Sequence, residues 1–208
     1  MIQPIVEGHG EVEAVPVLLR RLRDEAGAFD VKVGGPIRRS RAQLVREVGL
    51  RQAVDLARRQ RDCRSILILL DGDEDCPAEL APRMEQWAVA VARGTPCAVV
   101  MAHREYEAWF LAAIESLRGR RGISAGAQPF IDPEVPRGAK EALETLMHGD
   151  TGYHETADQP ALTALFDMSA AYRRSRSFRR MVSAFGSLIR AEGATAPVWP
   201  PASWAERF

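Results

Sequence analysis

Cysteine is scarce in this chain, which has only Cys63, Cys76 and Cys97, with no two of them in a CxxC spacing. An odd count without paired spacing argues against a disulfide framework and against a structural zinc site, and it favours a reducing compartment. The first residues, Met-Ile-Gln-Pro-Ile-Val-Glu, lack a basic stretch followed by an apolar run, so we expect no secretory signal peptide. These absences together predict a cytoplasmic protein.

Long apolar runs and net charge are missing as well. No stretch approaches the roughly 20 apolar residues that a membrane helix needs, so we expect no membrane partner. The chain has 28 basic and 28 acidic residues, so its overall charge gives no evidence for a nucleic-acid partner. The phosphate-binding pattern GxxxxGK[ST] is absent, and we therefore expect no ATPase activity from this chain itself.

Lysine occurs only at Lys32 and Lys140, and arginine supplies the other basic residues. Arginine suits bidentate contacts to phosphate, although a GC-rich genome would produce the same bias. One late segment combines arginine with Phe178 and predicts a basic helix edge that contacts a nucleic-acid backbone. Its arginines are Arg173, Arg174, Arg176, Arg179 and Arg180.

Strand-like and helix-like patterns alternate through the first half of the chain. We predict strands at Ile2–Val6, Phe29–Val33, Ser65–Leu70 and Pro96–Met101. We predict helices over residues 11–26, 41–60, 77–93 and 105–117. The third strand is apolar on both faces, as a central parallel strand would be. The alternating order predicts an α/β fold, with a parallel sheet and helices on both of its faces.

The character of the sequence changes after Gly119. Glycine, proline and serine cluster as far as about Pro136, and only short helical patterns follow. We therefore predict an α/β core over residues 1–118 and a helical extension over residues 119–208 that packs on this core.

Acidic side chains follow three of the predicted strands, where ligands bind in open parallel sheets. They are Glu7 and Glu11 after the first, Asp71 and Asp73 after the third, and Glu105 and Glu107 after the fourth. Carboxylates so close together oppose folding unless a cation neutralises them, and Mg²⁺ prefers such oxygen ligands. A solvated acidic loop with helix caps is the alternative, and Asp75 before Pro77 fits a cap.

Two motifs carry a resemblance to a known class of proteins. Val-Glu-Gly-x-x-Glu after the first strand and Asp-x-Asp after the third resemble the Toprim signature of topoisomerases, primases and OLD-type nucleases. With Arg-Glu-Tyr-Glu-Ala-Trp-Phe-Leu from Arg104 and Ser-Arg-Ser-Phe from Ser175, nearly the whole chain is similar to the bacterial Toprim-like family named domain of unknown function 4276.

The resemblance implies roles for individual residues. By position, Glu7 corresponds to the general acid/base, and Asp71 and Asp73 to the pair that holds Mg²⁺. Glu11 corresponds to the second glutamate of a two-metal site in OLD-type nucleases. Those sites also use a late lysine, and Lys140 is the candidate for this phosphate contact, although an exposed helix lysine is equally compatible with the sequence.

Glu107 completes the expected set of metal ligands, with Glu7, Glu11, Asp71 and Asp73. A polar helix start is the alternative for Glu105 and Glu107. His9 and His103 lie close to this set in the sequence, and each is also compatible with a structural role.

These observations predict a hydrolase: a Toprim nuclease that depends on Mg²⁺ or Mn²⁺ and cuts phosphodiester bonds, with DNA as the expected nucleic acid. The resemblance implies a role in anti-phage defence beside a separately encoded AAA-type ATPase. Two alternatives stay open. One is another phosphoryl-transfer enzyme, such as an RNase or a phosphatase, and the other is a non-catalytic Toprim-like binding or regulatory module.

Overall fold

A computed structural model of the protein describes residues 1–148, 152–194 and 198–205. Its strands are β1 (Ile2–Val6), β2 (Ile37–Arg38), β3 (Ser65–Asp71) and β4 (Cys97–Ala102). They form one sheet in the order β2-β1-β3-β4, and every pairing is parallel. Because β1 and β3 are neighbours, the residues that follow them meet at one edge of the sheet.

Six helices accompany the strands in the first part of the chain. They are α1 (His9–Glu25), α2 (Arg41–Leu44), α3 (Glu47–Arg58), α4 (Pro77–Ala92), α5 (Ala108–Ala112) and α6 (Ile114–Leu117). The later helices are α7 (Ala139–Thr145), α8 (Glu155–Leu165), α9 (Met168–Arg174), α10 (Arg176–Ala191) and α11 (Ala202–Ala205). Within the described residues, no helix combines the length and the apolar character needed to cross a membrane.

Hydrophobic clusters cover both faces of the sheet. Alternate β3 residues belong to different clusters, Leu67 and Leu69 to one and Ile66 and Ile68 to the other. Helices α1 and α10 contribute to the first cluster, and α3 and α4 to the second. This arrangement confirms the predicted α/β fold, in which a parallel sheet is buried between helical layers.

The predicted strand at Phe29–Val33 is wrong. Phe29 is 70% exposed, and Val33 makes only an isolated bridge to Ile2. The alternating pattern arises because Val31 is buried in an irregular segment, and alternation alone does not distinguish a buried loop residue from a strand residue. The strand that pairs with β1 begins later, at Ile37.

Two predicted helices are interrupted. The helix over 41–60 breaks into α2 and α3, which approach so closely that a Cβ on Gly49 would lie 2.2 Å from the carbonyl oxygen of Gln43. The helix over 105–117 begins only at Ala108, because the preceding turn directs the main-chain N–H of Tyr106 to Asp71.

The C-terminal helical region packs directly on the sheet and on α1. Helix α8 contacts α1, and α10 contacts β3 and β4. An aromatic cluster joins these parts, with the ring of Trp109 lying 4.6 Å from Tyr106 and 5.3 Å from Phe178, centroid to centroid. The indole N–H of Trp109 donates to the hydroxyl of Ser177 at 2.8 Å. The boundary at residue 118 stays a prediction.

Candidate functional site

Four carboxylates from different elements meet at the carboxyl edge of the sheet. Glu7 follows β1, Glu11 lies in the first turn of α1, Asp71 ends β3, and Glu107 is the N-cap of α5. The pKa of Asp71 is raised well above its usual value by burial, and the charges of Glu11, Glu107 and Glu7 raise it further. The structure therefore brings these four predicted residues together.

Asp71 and Glu107 are held by hydrogen bonds from neighbouring segments. Asp71 Oδ1 accepts a bond from the main-chain N–H of Tyr106 at 2.9 Å. Glu107 Oε1 accepts from the hydroxyl of Tyr153 at 2.6 Å and from the amide of Gln159 at 3.1 Å. Burial raises the pKa of Glu107, and these hydrogen bonds offset part of that effect.

Glu11 also has a structural task at the start of α1. Its Oε2 accepts from the main-chain N–H groups of Glu7 at 2.9 Å and Gly8 at 2.7 Å, which satisfies donors at the helix start. Burial raises the pKa of Glu11 to about 8, and these two bonds only partly oppose the effect. The residue thus orders the turn that carries Glu7.

Arg41, at the start of α2, is a cation at this edge, and it was not among the predicted site residues. Its Nη1 lies 3.6 Å from Glu7 Oε2, and its Nε lies 3.0 Å from Asp73 Oδ2. Its Nη2 lies 2.5 Å from Asp75 Oδ2. The guanidinium also donates to the carbonyl oxygens of Asp71 and Gly72.

Asp73 thus differs from the buried carboxylates. It is half exposed, its φ of 44° lies in the left-handed region, and its carboxylate faces Arg41. Glu7 is intermediate between the buried carboxylates and the half-exposed Asp73. Burial raises its pKa, Arg41 lowers it and Asp73 raises it again.

The site suits a hard divalent cation in its chemistry. All five predicted ligands offer carboxylate oxygens, and Glu7 Oε2 is a buried atom without a hydrogen-bond partner in the described part of the chain. Across residues 1–148, 152–194 and 198–205, however, no group of three or more His, Cys, Asp or Glu side chains is arranged to hold a metal ion. Oxygens of Asp71, Glu107 and Glu11 accept hydrogen bonds from Tyr106, Tyr153 and main-chain N–H groups, whereas Glu7 Oε2 has, among the described residues, only the ion pair with Arg41 at 3.6 Å.

One family profile, described as Domain of unknown function (DUF4276), matches residues 6–185 of the chain. The chain belongs to this family. The match extends from β1 to α10 and so includes every carboxylate of the site. It confirms the predicted membership of the domain of unknown function 4276, and the likeness to Toprim and OLD-type proteins stays a prediction. No curated protein and no solved structure matches the chain.

In this DUF4276 protein, Lys140 lies on the side of the site formed by the C-terminal region. Its Nζ is 3.4 Å from Glu155 Oε2 and 5.8 Å from the ring centroid of Tyr153, whose hydroxyl binds Glu107. Its main-chain N–H donates to Glu105 Oε2 at 2.8 Å. Lys140 is therefore connected to the carboxylates through Tyr153, with its side chain 42% exposed.

The arginines predicted to bind nucleic acid divide among several surroundings. Arg174 forms an ion pair with Glu115 at 2.7 Å, and Arg179 donates to the main-chain carbonyls of Tyr172 and Arg173. These contacts lie around the junction of α9 and α10, and they direct the side chains of Arg174 and Arg179 toward protein groups.

Arg176 and Arg180 lie one helical turn apart on α10 and line the same cavity. Arg180 pairs with Glu85 at 2.8 Å, and Arg173 donates to the hydroxyl of Ser169 at 3.2 Å. Arg176 is exposed, and the described residues offer it no ion pair and no side-chain hydrogen bond. Of the five predicted arginines, Arg176 and Arg180 share one cavity, and nucleic-acid binding by the set stays a prediction.

Sequence reasoning missed Arg41, Tyr153 and Gln159. Arg41 had a usable signal, because it stands where the chain enters a helix after a strand of the sheet, at the same edge as the carboxylates. No sequence signal pointed to Tyr153 or Gln159. They belong to a helical region that packs on α1, and no local sequence pattern predicts this packing.

Proposed function

We propose that this protein is a nuclease that depends on Mg²⁺ or Mn²⁺ and hydrolyses phosphodiester bonds. One observation carries the proposal: the four clustered carboxylates of Glu7, Glu11, Asp71 and Glu107 all have raised pKa values. A buried cluster of like charges is costly to maintain unless it serves a cation or a proton transfer. The likeness of both motifs to Toprim proteins agrees with this use.

The residues have distinct tasks in the proposed reaction. A bound divalent cation would neutralise the carboxylates and lower the pKa of a coordinated water. Asp71, Glu11 and Glu107 would hold the cation, with Asp73 joining them once Arg41 has withdrawn. Glu7, with its side chain 22% exposed, stands between the buried carboxylates and the solvent.

Proton transfer falls to Glu7 in this scheme. Its carboxylate would take the proton of the attacking water, and its raised pKa brings its basicity closer to that required near neutral pH. Lys140, beside Tyr153, would contact a phosphate oxygen of the substrate. DNA is the expected substrate, and the roles in anti-phage defence and beside an AAA-type ATPase rest on the Toprim resemblance alone.

Plasmid cleavage tests the proposal. We expect supercoiled plasmid to be nicked with Mg²⁺ or Mn²⁺ and to stay intact in EDTA. Glu7→Gln should slow nicking by about 100-fold or more, because a positioned general base contributes about that factor. Glu13→Gln, which changes an exposed glutamate of the following helix α1, is the matched control and should cut like wild type. Cutting in EDTA, or full activity of Glu7→Gln, would contradict the proposal.

A second candidate, a non-catalytic Toprim-like binding or regulatory module, is favoured by the contacts of Arg41. Its guanidinium already provides a positive partner for Glu7, Asp73 and Asp75 without any metal. If titration with Mn²⁺ releases no heat and plasmid stays intact, this second candidate replaces the first.

A further inference from the structure

A cavity of about 650 Å³ is lined by the start of α4, by β4 and the residue His103 that follows it, by residues 132–135 and by the start of α10. Its size is within the range of about 300–1,000 Å³ that small-molecule sites occupy. The loop that carries Asp73 continues directly into Cys76 and Pro77 of its wall, and His103 follows β4. The cavity therefore shares the carboxyl edge of the sheet with the candidate metal site.

Apolar groups form one wall of this cavity. They come from α4 and β4 and are Pro77, Ala81, Pro82, Val99 and Met101. A flat ring can pack against such a wall and lose its contact with water. A nucleobase is one such ring, and burial of its faces is a major source of affinity in single-stranded nucleic-acid sites.

Cationic groups line another side of the cavity. Arg176 and Arg180 are both exposed; Arg180 forms an ion pair with Glu85 at 2.8 Å, and Arg176 is without a partner among the described residues. Planar guanidinium groups bind phosphate oxygens through two parallel hydrogen bonds. This side therefore suits an anion that carries several oxygens.

The two acidic groups of the cavity are engaged locally. Glu134 Oε1 accepts from the hydroxyl of Ser175 and from the main-chain N–H of Ser177, both at 2.7 Å. Asp132 Oδ1 accepts from the main-chain N–H of Glu134 at 3.0 Å. The Glu134 carboxylate thus complements the N-terminus of α10 and pairs with neither arginine, so Arg176 is available for an external anion, and Arg180 would share its charge between Glu85 and that anion.

His103 contributes a polar atom that needs a partner. Its Nδ1 is buried and has no hydrogen-bond partner in the described part of the chain. Buried polar atoms of native proteins are nearly always paired, so this nitrogen calls for a hydrogen-bonding group from a water or from a ligand. A nucleobase, with donors and acceptors on its edges, provides such a group.

We infer that this cavity binds one nucleotide of a nucleic-acid strand, with the base against the apolar wall and His103 and the phosphate on Arg176 and Arg180. The inference rests on the proposed function, because it names the nucleotide next to the cleaved bond as the occupant. It also reassigns nucleic-acid contact from five arginines to these two.

Binding of 5′-mononucleotides to the metal-free protein tests the inference apart from cleavage. AMP, GMP, CMP and dTMP are added in EDTA, and the amide resonances of Met101, His103 and Arg176 are followed by NMR. We expect at least one nucleotide to shift all three resonances and to bind more tightly than its nucleoside or inorganic phosphate. Absence of shifts with all four nucleotides would overturn the inference, and so would equal binding of phosphate alone.

Two variants test whether the nucleotide binds in this cavity. Arg176→Gln should weaken nucleotide binding about tenfold, as loss of a charged hydrogen bond does. Ala78→Trp places a large ring at an exposed position of the cavity wall and should abolish binding. Arg190→Gln, an exposed arginine of the same helix away from the cavity, is the control and should bind like wild type. Unchanged binding in both cavity variants would overturn the inference.

The experiments distinguish failure of the nuclease proposal from failure of the inference about the cavity. If plasmid is cut and no mononucleotide binds, the inference about the cavity is wrong and the nuclease stands. If mononucleotides bind with the expected dependence on Arg176 and plasmid is never cut, the nuclease is wrong and the cavity belongs to a nucleotide-binding module.

Discussion

Arg41 places a positive charge against two predicted metal ligands, Glu7 and Asp73, and these contacts favour competition with a bound cation. Metal binding by Glu7 and Asp73 requires their carboxylates to turn from the guanidinium to the ion. The side chain of Arg41 is 20% exposed, so a path to solvent exists when it withdraws. The withdrawn arginine would then be available to a phosphate of the substrate.

Replacing this arginine should strengthen metal binding. In Arg41→Gln, the dissociation constant for Mn²⁺ should fall by about fivefold or more, since unit charges about 4 Å apart repel by about 1 kcal/mol even in bulk water. Isothermal titration of the protein with Mn²⁺ measures this directly.

Arg104→Gln is the matched control for this experiment. Arg104 pairs at 3.3 Å with the exposed Glu74 at the same edge of the sheet, and its loss should leave Mn²⁺ affinity as in wild type. Weaker Mn²⁺ binding in Arg41→Gln would mean that the arginine supports the site and does not compete with the metal.

The positions of single site residues were predictable where the residue directly follows a strand of the sheet. Glu7 and Asp71 follow apolar strands, and strand ends in a parallel sheet share one edge, so the sequence alone was sufficient to pair them. The partners of Glu107 were not predictable. Tyr153 and Gln159 reach it from 46 and 52 residues away, through tertiary packing that has no periodic signal.

Among the elements, the contact between α1 and α8 has the tightest geometric requirement near the site. A Cβ on Gly10 would lie 2.6 Å from Gln159 Oε1 and 2.8 Å from the carbonyl oxygen of Glu155. The backbone oxygen cannot rotate away, so α8 can approach α1 this closely only because residue 10 is glycine.

Gly10→Ala should therefore push α8 outward. Overpacking of this kind costs about 1–3 kcal/mol, and each kcal/mol lowers the melting temperature by about 2–4 °C in a protein of this size. Thermal unfolding followed by circular dichroism measures the change. Gly35→Ala is the control, since a Cβ there meets nothing within 4 Å, and its melting temperature should stay close to wild type. Equal stability of the two variants would show that α8 adjusts freely.

Three of the four strands and their parallel arrangement were predictable at the level of elements, whereas the place of the second strand and the helix boundaries were not. β3 is recognisable because six of its seven residues are buried, which gives a continuous apolar run. The interruption between α2 and α3 depends on the approach of Gly49 to Gln43 in space, and helical periodicity continues across it in the sequence.

For the whole molecule, the carboxylate cluster makes the stability of the metal-free protein depend on pH. The pKa of Glu11 is about 8 in the folded state, against an ordinary value of 4.5. The folded protein therefore binds more protons than the unfolded chain between these values, and the free energy of unfolding falls as pH rises through about 8. The pKa values are also raised for Asp71, Glu107 and Glu7, which adds to the same pH dependence.

We expect the melting temperature in EDTA to be lower above about pH 8 than near about pH 6. The decrease should be roughly 2–4 °C for each kcal/mol by which the free energy of unfolding falls. Glu11→Gln keeps an oxygen acceptor for the N–H groups of Glu7 and Gly8 and removes the charge. It should melt higher than wild type above about pH 8 and show a shallower pH dependence. Glu13→Gln should follow the wild-type curve. A melting temperature that rises with pH across this window would contradict the buried, raised carboxylates.

The aromatic cluster around Trp109 gives the protein a built-in optical probe. The indole is fully buried, lies against Tyr106 and Phe178, and donates to Ser177. An indole in such surroundings emits at shorter wavelength than one in water, so separation of α10 from the sheet should shift its emission to the red.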